Sequence, residues 1–230
     1  MINSKKILVV AAHPDDEVLG CGGSVAKWTS AGHQVFVIIM SEGITSRDKK
    51  PNSETKHKLI KLKSASQKSG KLLGVKSIEF VGYPDNRMDS IDLLDIVKTI
   101  EHHIEIIKPE ILLTHHSKDL NIDHRKVHEA VITACRPFPN QIVNTILTFE
   151  VPSSTDWQIT NHGNVFCPNW YEDITKTINV KKEALRLYDS EMREWPHSRS
   201  IKAVEYLNRW RGSTIGLEAA EAFHMVRTIK

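Results

Sequence analysis

Four short apolar runs, Ile7 to Ala12, Val35 to Met40, Ile78 to Val81 and Ile111 to Thr114, are separated by segments with helical spacing. Such alternation specifies βαβ units and a parallel sheet, because parallel neighbours must be joined by a crossover. Between the third and fourth runs, Leu94, Val97, Ile100, Ile104 and Ile107 recur at three- and four-residue steps, the stripe of an amphipathic helix that Pro109 ends. Right-handed crossovers then follow from strand twist. The stretch Val143 to Val151 alternates as a fifth strand would. Further on, Ile178, Leu185, Tyr188 and Met192 mark one helix, and Ile201, Val204, Leu207 and Trp210 another. The expectation is an α/β fold in one domain over residues 1–230, with a mostly parallel sheet and a helical C-terminal third packed on it.

Composition bounds the function. The 230 residues are 40% hydrophobic and 26% charged, enough for one sizeable core. A net charge of +3 from 31 basic and 28 acidic residues is too balanced to imply nucleic acid, and the lysines from Lys49 to Lys76 read as a solvated helix face. No apolar stretch approaches the ~20 residues needed to span a bilayer. No signal-like segment precedes the first strand, so a cytoplasmic location is expected. Cys21, Cys135 and Cys167 are odd in number and unpaired in spacing, which fits a reducing compartment.

Directly behind the first run stand His13-Pro14-Asp15-Asp16-Glu17. His13 falls at the carboxyl end of a strand, the edge where open α/β sheets bind ligands. Pro14 favours helix entry after it, so Asp15 and Asp16 belong in or next to a first helical turn. A second cluster, Thr114-His115-His116-Ser117-Lys118-Asp119-Leu120-Asn121-Ile122-Asp123-His124, follows the fourth run. Val127, Ala130, Val131 and Ala134 keep helical spacing after it, so His124 opens a helix whose start faces the same crevice.

A divalent metal on His13, Asp16 and His124, with one open position, matches the catalytic pattern of two histidines and a carboxylate. Asp15 is then placed to act as general base. Paired aspartates before a helix also serve as an N-cap, and a lone histidine beside a strand is commonly just hydrogen-bonded. Neither accounts for both clusters at one sheet edge. Asp119, Asn121 and Asp123 imitate a calcium loop, but His124 and Ala130 stand where glycine and glutamate are required. Gly20, Gly22 and Gly23 come too late after the strand to cradle a pyrophosphate and serve helix packing instead. The same triad also suits a non-haem iron oxygenase. A non-catalytic protein with a structural metal is a third reading, but it needs a fourth protein ligand, and Cys21 lies inside the first helix.

Ala12 to Glu17 together with Asp123-His124 resembles the PIG-L/LmbE-like family of metal-dependent N-acetylglucosaminyl deacetylases. Phe149 to Thr155, Arg211-Gly212 and Ala220 to Phe223 resemble one bacterial branch, so the likeness covers nearly the whole chain. It implies a Rossmann-like three-layer α/β/α fold, with zinc as the usual metal and Fe2+ or another divalent ion as alternatives. The implied reaction is removal of the N-acetyl group from a small N-acetylated sugar or conjugate. The resemblance makes His13, Asp16 and His124 the ligands and Asp15 the base; a homo-oligomer is compatible with it.

Several family members carry a histidine three positions before the last ligand. Here that position is Asn121, which can donate a hydrogen bond but no proton. Asn121 is therefore expected as an oxyanion donor while Asp15 moves the proton, with His115, His116 and His197 as alternative acids. Sugar recognition is expected at Arg47, Asp85, Asn86 and Arg87, and the loop holding Ser153, Ser154, Thr155 and Trp157 is a further candidate. Glu17 is expected to hydrogen-bond behind the site, and Trp170, Trp195 and Trp210 to pack among helices.

Overall fold

From Ile7 to Ala12 every residue is buried, which requires a strand covered on both faces. The computed structural model describes residues 4–47, 52–139, 141–159, 163 and 165–230, with the side chain of Arg47 outside that description. The run forms β1 (Lys6–Ala11), flanked by β2 (Gln34–Ser41), β3 (Ser77–Tyr83), β4 (Ile111–His115) and β5 (Thr145–Phe149). These five strands are parallel, in the order β3-β2-β1-β4-β5. The connecting helices are α1 (Asp16–Ser30), α2 (Ser53–Leu72), α3 (Leu93–Ile107) and α4 (Ile122–Ala134).

Alternation along each strand feeds two cores. Ile7 and Val9 pack with Val25 and Trp28 of α1 and Leu62 of α2, whereas Leu8 and Val10 pack with Ile96 and Ile100 of α3 and Val127 and Val131 of α4. The lysines of α2 are solvated, as their spacing implied, and Asn52 starts that helix with a reciprocal capping box to Thr55.

The C-terminal third departs from the helical expectation. It does contain α5 (Ile178–Arg186) and α6 (Ile201–Ser213), but also β6 (Trp170–Asp173) and β7 (Ala220–Thr228). β7 pairs antiparallel with both β5 and β6, completing a seven-stranded sheet. The signal was masked because β7 mixes Glu221, His224 and Arg227 with its apolar residues. Trp170 accordingly lies in a strand; Trp210 is exposed, and Trp195, also exposed, meets Tyr206 edge-on at 5.6 Å. α5 ends before Tyr188, yet Tyr188 is fully buried beneath α1. Among the described residues no helix is long and apolar enough to cross a membrane.

α1 is broken at Cys21, where φ is −145°. The broken ends are satisfied by one buried ion pair. Lys181 Nζ donates to the carbonyl of Leu19 (2.8 Å) and to Glu221 Oε1 (2.6 Å), while Glu221 accepts from the amides of Gly23 (2.9 Å) and Ser24 (2.7 Å). Each charge meets the helix end of opposite polarity. Gly20 lets β5 approach the break, since a Cβ there would lie 2.3 Å from Phe149 Cδ2. Replacing Lys181 by methionine leaves the Glu221 carboxylate buried without its cation, and equilibrium denaturation should show a loss of about 3–5 kcal/mol.

Candidate metal centre

Strand order reverses between β1 and β4, because the chain runs outward through β2 and β3 before returning beside β1. Such a switch point opens a crevice at the carboxyl ends of the strands. A cavity of about 140 Å³ lies there, lined by both sequence clusters and by the loops after β2 and β3. His13 follows β1, Asp16 opens α1, and His124 stands in the first turn of α4.

Their ligand atoms form a nearly equilateral triangle. His13 Nδ1 is 3.2 Å from Asp16 Oδ2 and 3.2 Å from His124 Nε2, and His124 Nε2 is 3.1 Å from Asp16 Oδ2. Tetrahedral zinc with nitrogen and oxygen ligands at 2.0–2.1 Å sets those atoms about 3.3 Å apart. Asp16 Oδ1 is buried without a hydrogen-bond partner, a state that a cation would relieve. The residues therefore fit a divalent metal.

The outer nitrogens of both rings face carboxylates, which fixes ring orientation. His13 Nε2 lies 3.1 Å from Asp123 Oδ2 and 3.3 Å from Asp85 Oδ1, and His124 Nδ1 lies 3.2 Å from Asp119 Oδ1. His13, Asp85 and Asp123 also bring potential ligand atoms within 4.8 Å of one another. Their oxygens are engaged otherwise: Asp123 accepts from the amides of Asn86 (2.6 Å) and Met88 (2.9 Å), and Asp85 from the amide and hydroxyl of Ser46 (2.9 and 2.5 Å). Asp119 is gripped by Ser154 and Thr155, so that loop braces the site from behind.

Burial alone would lower the pKa of His124, yet the charges of Asp16 and Asp119 raise it to about 9. His13 behaves alike: hydrogen bonds to Asp123, Asp16 and Asp85 outweigh burial and raise it well above the usual imidazole value. Burial favours neutral Asp16, but the charge and hydrogen bonds of His124 and the hydrogen bond of His13 hold it well below the usual carboxylate range.

Asp15 lies beside the triad as the N-cap of α1, with φ at 114°, a left-handed value uncommon outside glycine. Burial pushes its pKa well up, the nearby Arg199 guanidinium opposes this, and Asp16, Glu191 and Glu17 add to it. Glu17 accepts from the Asp15 amide (3.0 Å) and from the Tyr188 hydroxyl, as its expected place behind the site implied.

Asp85 and Asn121 line the same cavity, whereas Arg87 is exposed beside it. Asn121 caps α4, its Oδ1 accepting from the amides of Asp123 (2.8 Å) and His124 (3.4 Å) while its Nδ2 donates to Asn86 (2.9 Å). None of the three alternative acids lines the cavity. Buried His115 accepts from the amide of Ala12 (2.8 Å) and stacks on His124 at 3.9 Å; burial, then the His124 charge, keep its pKa well below the usual value. Arg199, Glu191, Ile44 and Leu62 also line the cavity, and the sequence offered no pattern that singled them out.

The chain belongs to the PIG-L family, whose model, described as GlcNAc-PI de-N-acetylase, matches residues 8–135. It is 29% identical over 195 residues to the Uncharacterized deacetylase YaiS of Escherichia coli K12, covering 81% of this chain and 91% of that protein. A Diacetylchitobiose deacetylase from Thermococcus kodakarensis is 25% identical over 200 residues, covering 83% and 71%. Among solved structures, the N,N'-diacetylchitobiose deacetylase of Pyrococcus horikoshii superposes with a TM-score of 0.78 at 20% identity over 98% of this chain and 85% of that one. GalB, a 4-carboxy-2-hydroxymuconate hydratase from Pseudomonas putida, superposes at 0.73 with 22% identity over 98% of both chains. The structural likenesses establish the fold; a hydratase among them means that the reaction must be argued from the site.

Because the surrounding carboxylates raise the pKa of both imidazoles, which must be neutral at the nitrogen that binds a metal, zinc uptake should tighten as pH rises. Calorimetry at pH 7.5 in two buffers of different ionisation heat should report net proton release on zinc binding, and no release would contradict the raised pKa of these rings.

Proposed function

We propose that this chain is a zinc-dependent N-deacetylase that hydrolyses the acetamide of an N-acetylated amino sugar or sugar conjugate, with His13, Asp16 and His124 as ligands and Asp15 as the proton-transfer group. The observation that carries the reading is the ligand triangle at 3.1–3.2 Å with Asp15 beside it in one cavity. The family description and the names of both sequence relatives support deacetylation, and two of the three specify an N-acetylated sugar.

Zinc held there would supply Lewis-acid polarisation of the acetamide carbonyl and acidify a water molecule. The remaining work falls to the chain. Asp15 takes the proton from the attacking water, and its burial-raised pKa suits it to hold that proton and pass it to the departing amine. Asn121 has already committed Oδ1 to α4 and one N–H to Asn86, so its second N–H is the one it offers the oxyanion.

The cavity is polar except for one wall of Pro14, Gly43, Ile44 and Leu62, suited to a methyl group. That wall is close-packed: a Cβ on Gly43 would lie 2.9 Å from Leu62 and 3.2 Å from Pro14. Asp85 and Asn86 are the proposed sugar contacts within the cavity, with Arg47 and Arg87 on the adjoining loops. A structural metal would need a fourth protein ligand. His115 Nε2, 3.7 Å from Asp16 Oδ2, already accepts the Ala12 amide and is not free to be a fourth ligand, which favours an open position.

The zinc-loaded protein should release acetate from one or more of a panel of N-acetylated amino sugars. Asp15→Asn should keep its zinc and lose about 10²–10⁴-fold in turnover; loss of zinc instead would favour the non-catalytic reading. Leu62→Ala should extend activity to N-propionyl substrates, and undiminished selectivity for acetyl would remove this wall from acyl recognition.

A further inference from the structure

Of the described residues other than glycine, four have left-handed backbone: Asp15 (φ 114°), Asn86 (53°), Lys108 (55°) and Ser153 (68°). Lys108 merely ends α3. Asp15 and Asn86 line the cavity and Ser153 bonds to Arg199, which lines it too; residues held in sparsely populated backbone regions persist only where surrounding contacts over-determine them.

One guanidinium joins two of them. Arg199 Nη1 donates to Asp15 Oδ2 at 3.1 Å, and Arg199 Nε donates to Ser153 Oγ at 2.9 Å. Glu17 holds the amide of Asp15, not its carboxylate. Arg199 is itself fixed on the turn between α5 and α6: its amide donates to His197 Nδ1 at 3.0 Å, its carbonyl accepts from the amide of Arg193 at 3.2 Å, and Ser200 next to it caps α6. A planar fork reaching two partners in two directions is a task for arginine, which a lysine ammonium cannot reproduce.

Building on the deacetylase reading above, we infer that Arg199 is a positioning residue: its guanidinium, braced by Ser153, holds the Asp15 carboxylate towards the reacting atoms against the strained backbone that carries it. It cannot serve as the missing acid, because a guanidinium does not give up its proton in a protein. The clamp reaches Asp15 from 184 residues downstream, and the hydrogen bonds of its guanidinium go to Asp15 and Ser153 and to none of His13, Asp16 and His124.

The test compares zinc-loaded wild type with Arg199→Met and Arg199→Lys for acetate release from N-acetylglucosamine and diacetylchitobiose, alongside crystal structures of wild type and Arg199→Met. The expected fall in kcat is about 100-fold, since misplacing a reacting group by about 1 Å costs that much. KM and zinc content should stay near wild type, and lysine should restore little. Added guanidinium chloride, below denaturing concentration, should recover part of the kcat of Arg199→Met where sodium chloride does not. In the variant crystal the Asp15 carboxylate should turn away while His13, Asp16 and His124 stay. Ser153→Gly, which removes the brace and relieves the left-handed backbone, should give a smaller fall of the same kind and stands in if Arg199→Met does not fold. An unchanged kcat, a loss confined to KM, or an Asp15 that keeps its conformation overturns the inference. If wild type releases acetate from neither sugar, the deacetylase reading fails on those probes, and the position of Asp15 in the two crystals still decides the role of Arg199.

Discussion

Parallel pairing of β1 with β4 is the constraint from which the site follows. Ile7, Leu8 and Val9 lie opposite Ile111, Leu112 and Leu113, so residues 13–17 and 115–124 emerge side by side although about a hundred positions separate them. Beyond the last rung the two chains diverge and the crevice opens. The transition is made by a side chain: His115 accepts the Ala12 amide where no strand carbonyl remains, and its ring lies flat beneath His124. The hydrogen-bond ladder of the sheet thus continues to the cluster of His13, Asp16 and His124, and a rigid element fixes the most demanding geometry.

Around that ladder the loops act as braces. Asp123 orients His13 and is held by backbone amides after β3; Asp119 orients His124 and is held by hydroxyls after β5. Neither carboxylate would need to touch a metal held there to matter, since a ligating imidazole is aimed by what its other nitrogen meets. The buried Lys181 and Glu221 do the same for α1, joining a broken helix to β7 so that its first turn meets the crevice.

The parallel half of the fold was legible because strands buried on both faces leave continuous apolar runs, and Ile7 to Ala12 is such a run. The antiparallel edge was not, since β6 has only four residues and β7 interleaves charged ones. In the site, the meeting of His13, Asp16 and His124 could be read because strand ends restrict where residues emerge. Asn121 was visible by position, but its commitment to capping α4 depends on the contacts of one amide. Arg199 left no trace: an arginine in a Trp-Pro-His-Ser-Arg turn carries no periodicity, and its partner lies 184 positions away. Arg47 and Arg87 drew notice as charged loop residues, a weaker signal; one lies exposed and the other's side chain is outside the described residues.

The family match ends at residue 135, and that limit divides the cavity in two. Before it lie His13, Asp15, Asp16, Asp85, Asn121 and His124; after it lie Glu191 and Arg199. The molecule is built as an anvil and a vice. The anvil is forged into the centre of the sheet, where a change of one side chain disturbs two cores. The vice hangs on turns at the periphery, which tolerate substitution, so chains sharing this anvil have room to diverge in what they grip without giving up the chemistry at the centre.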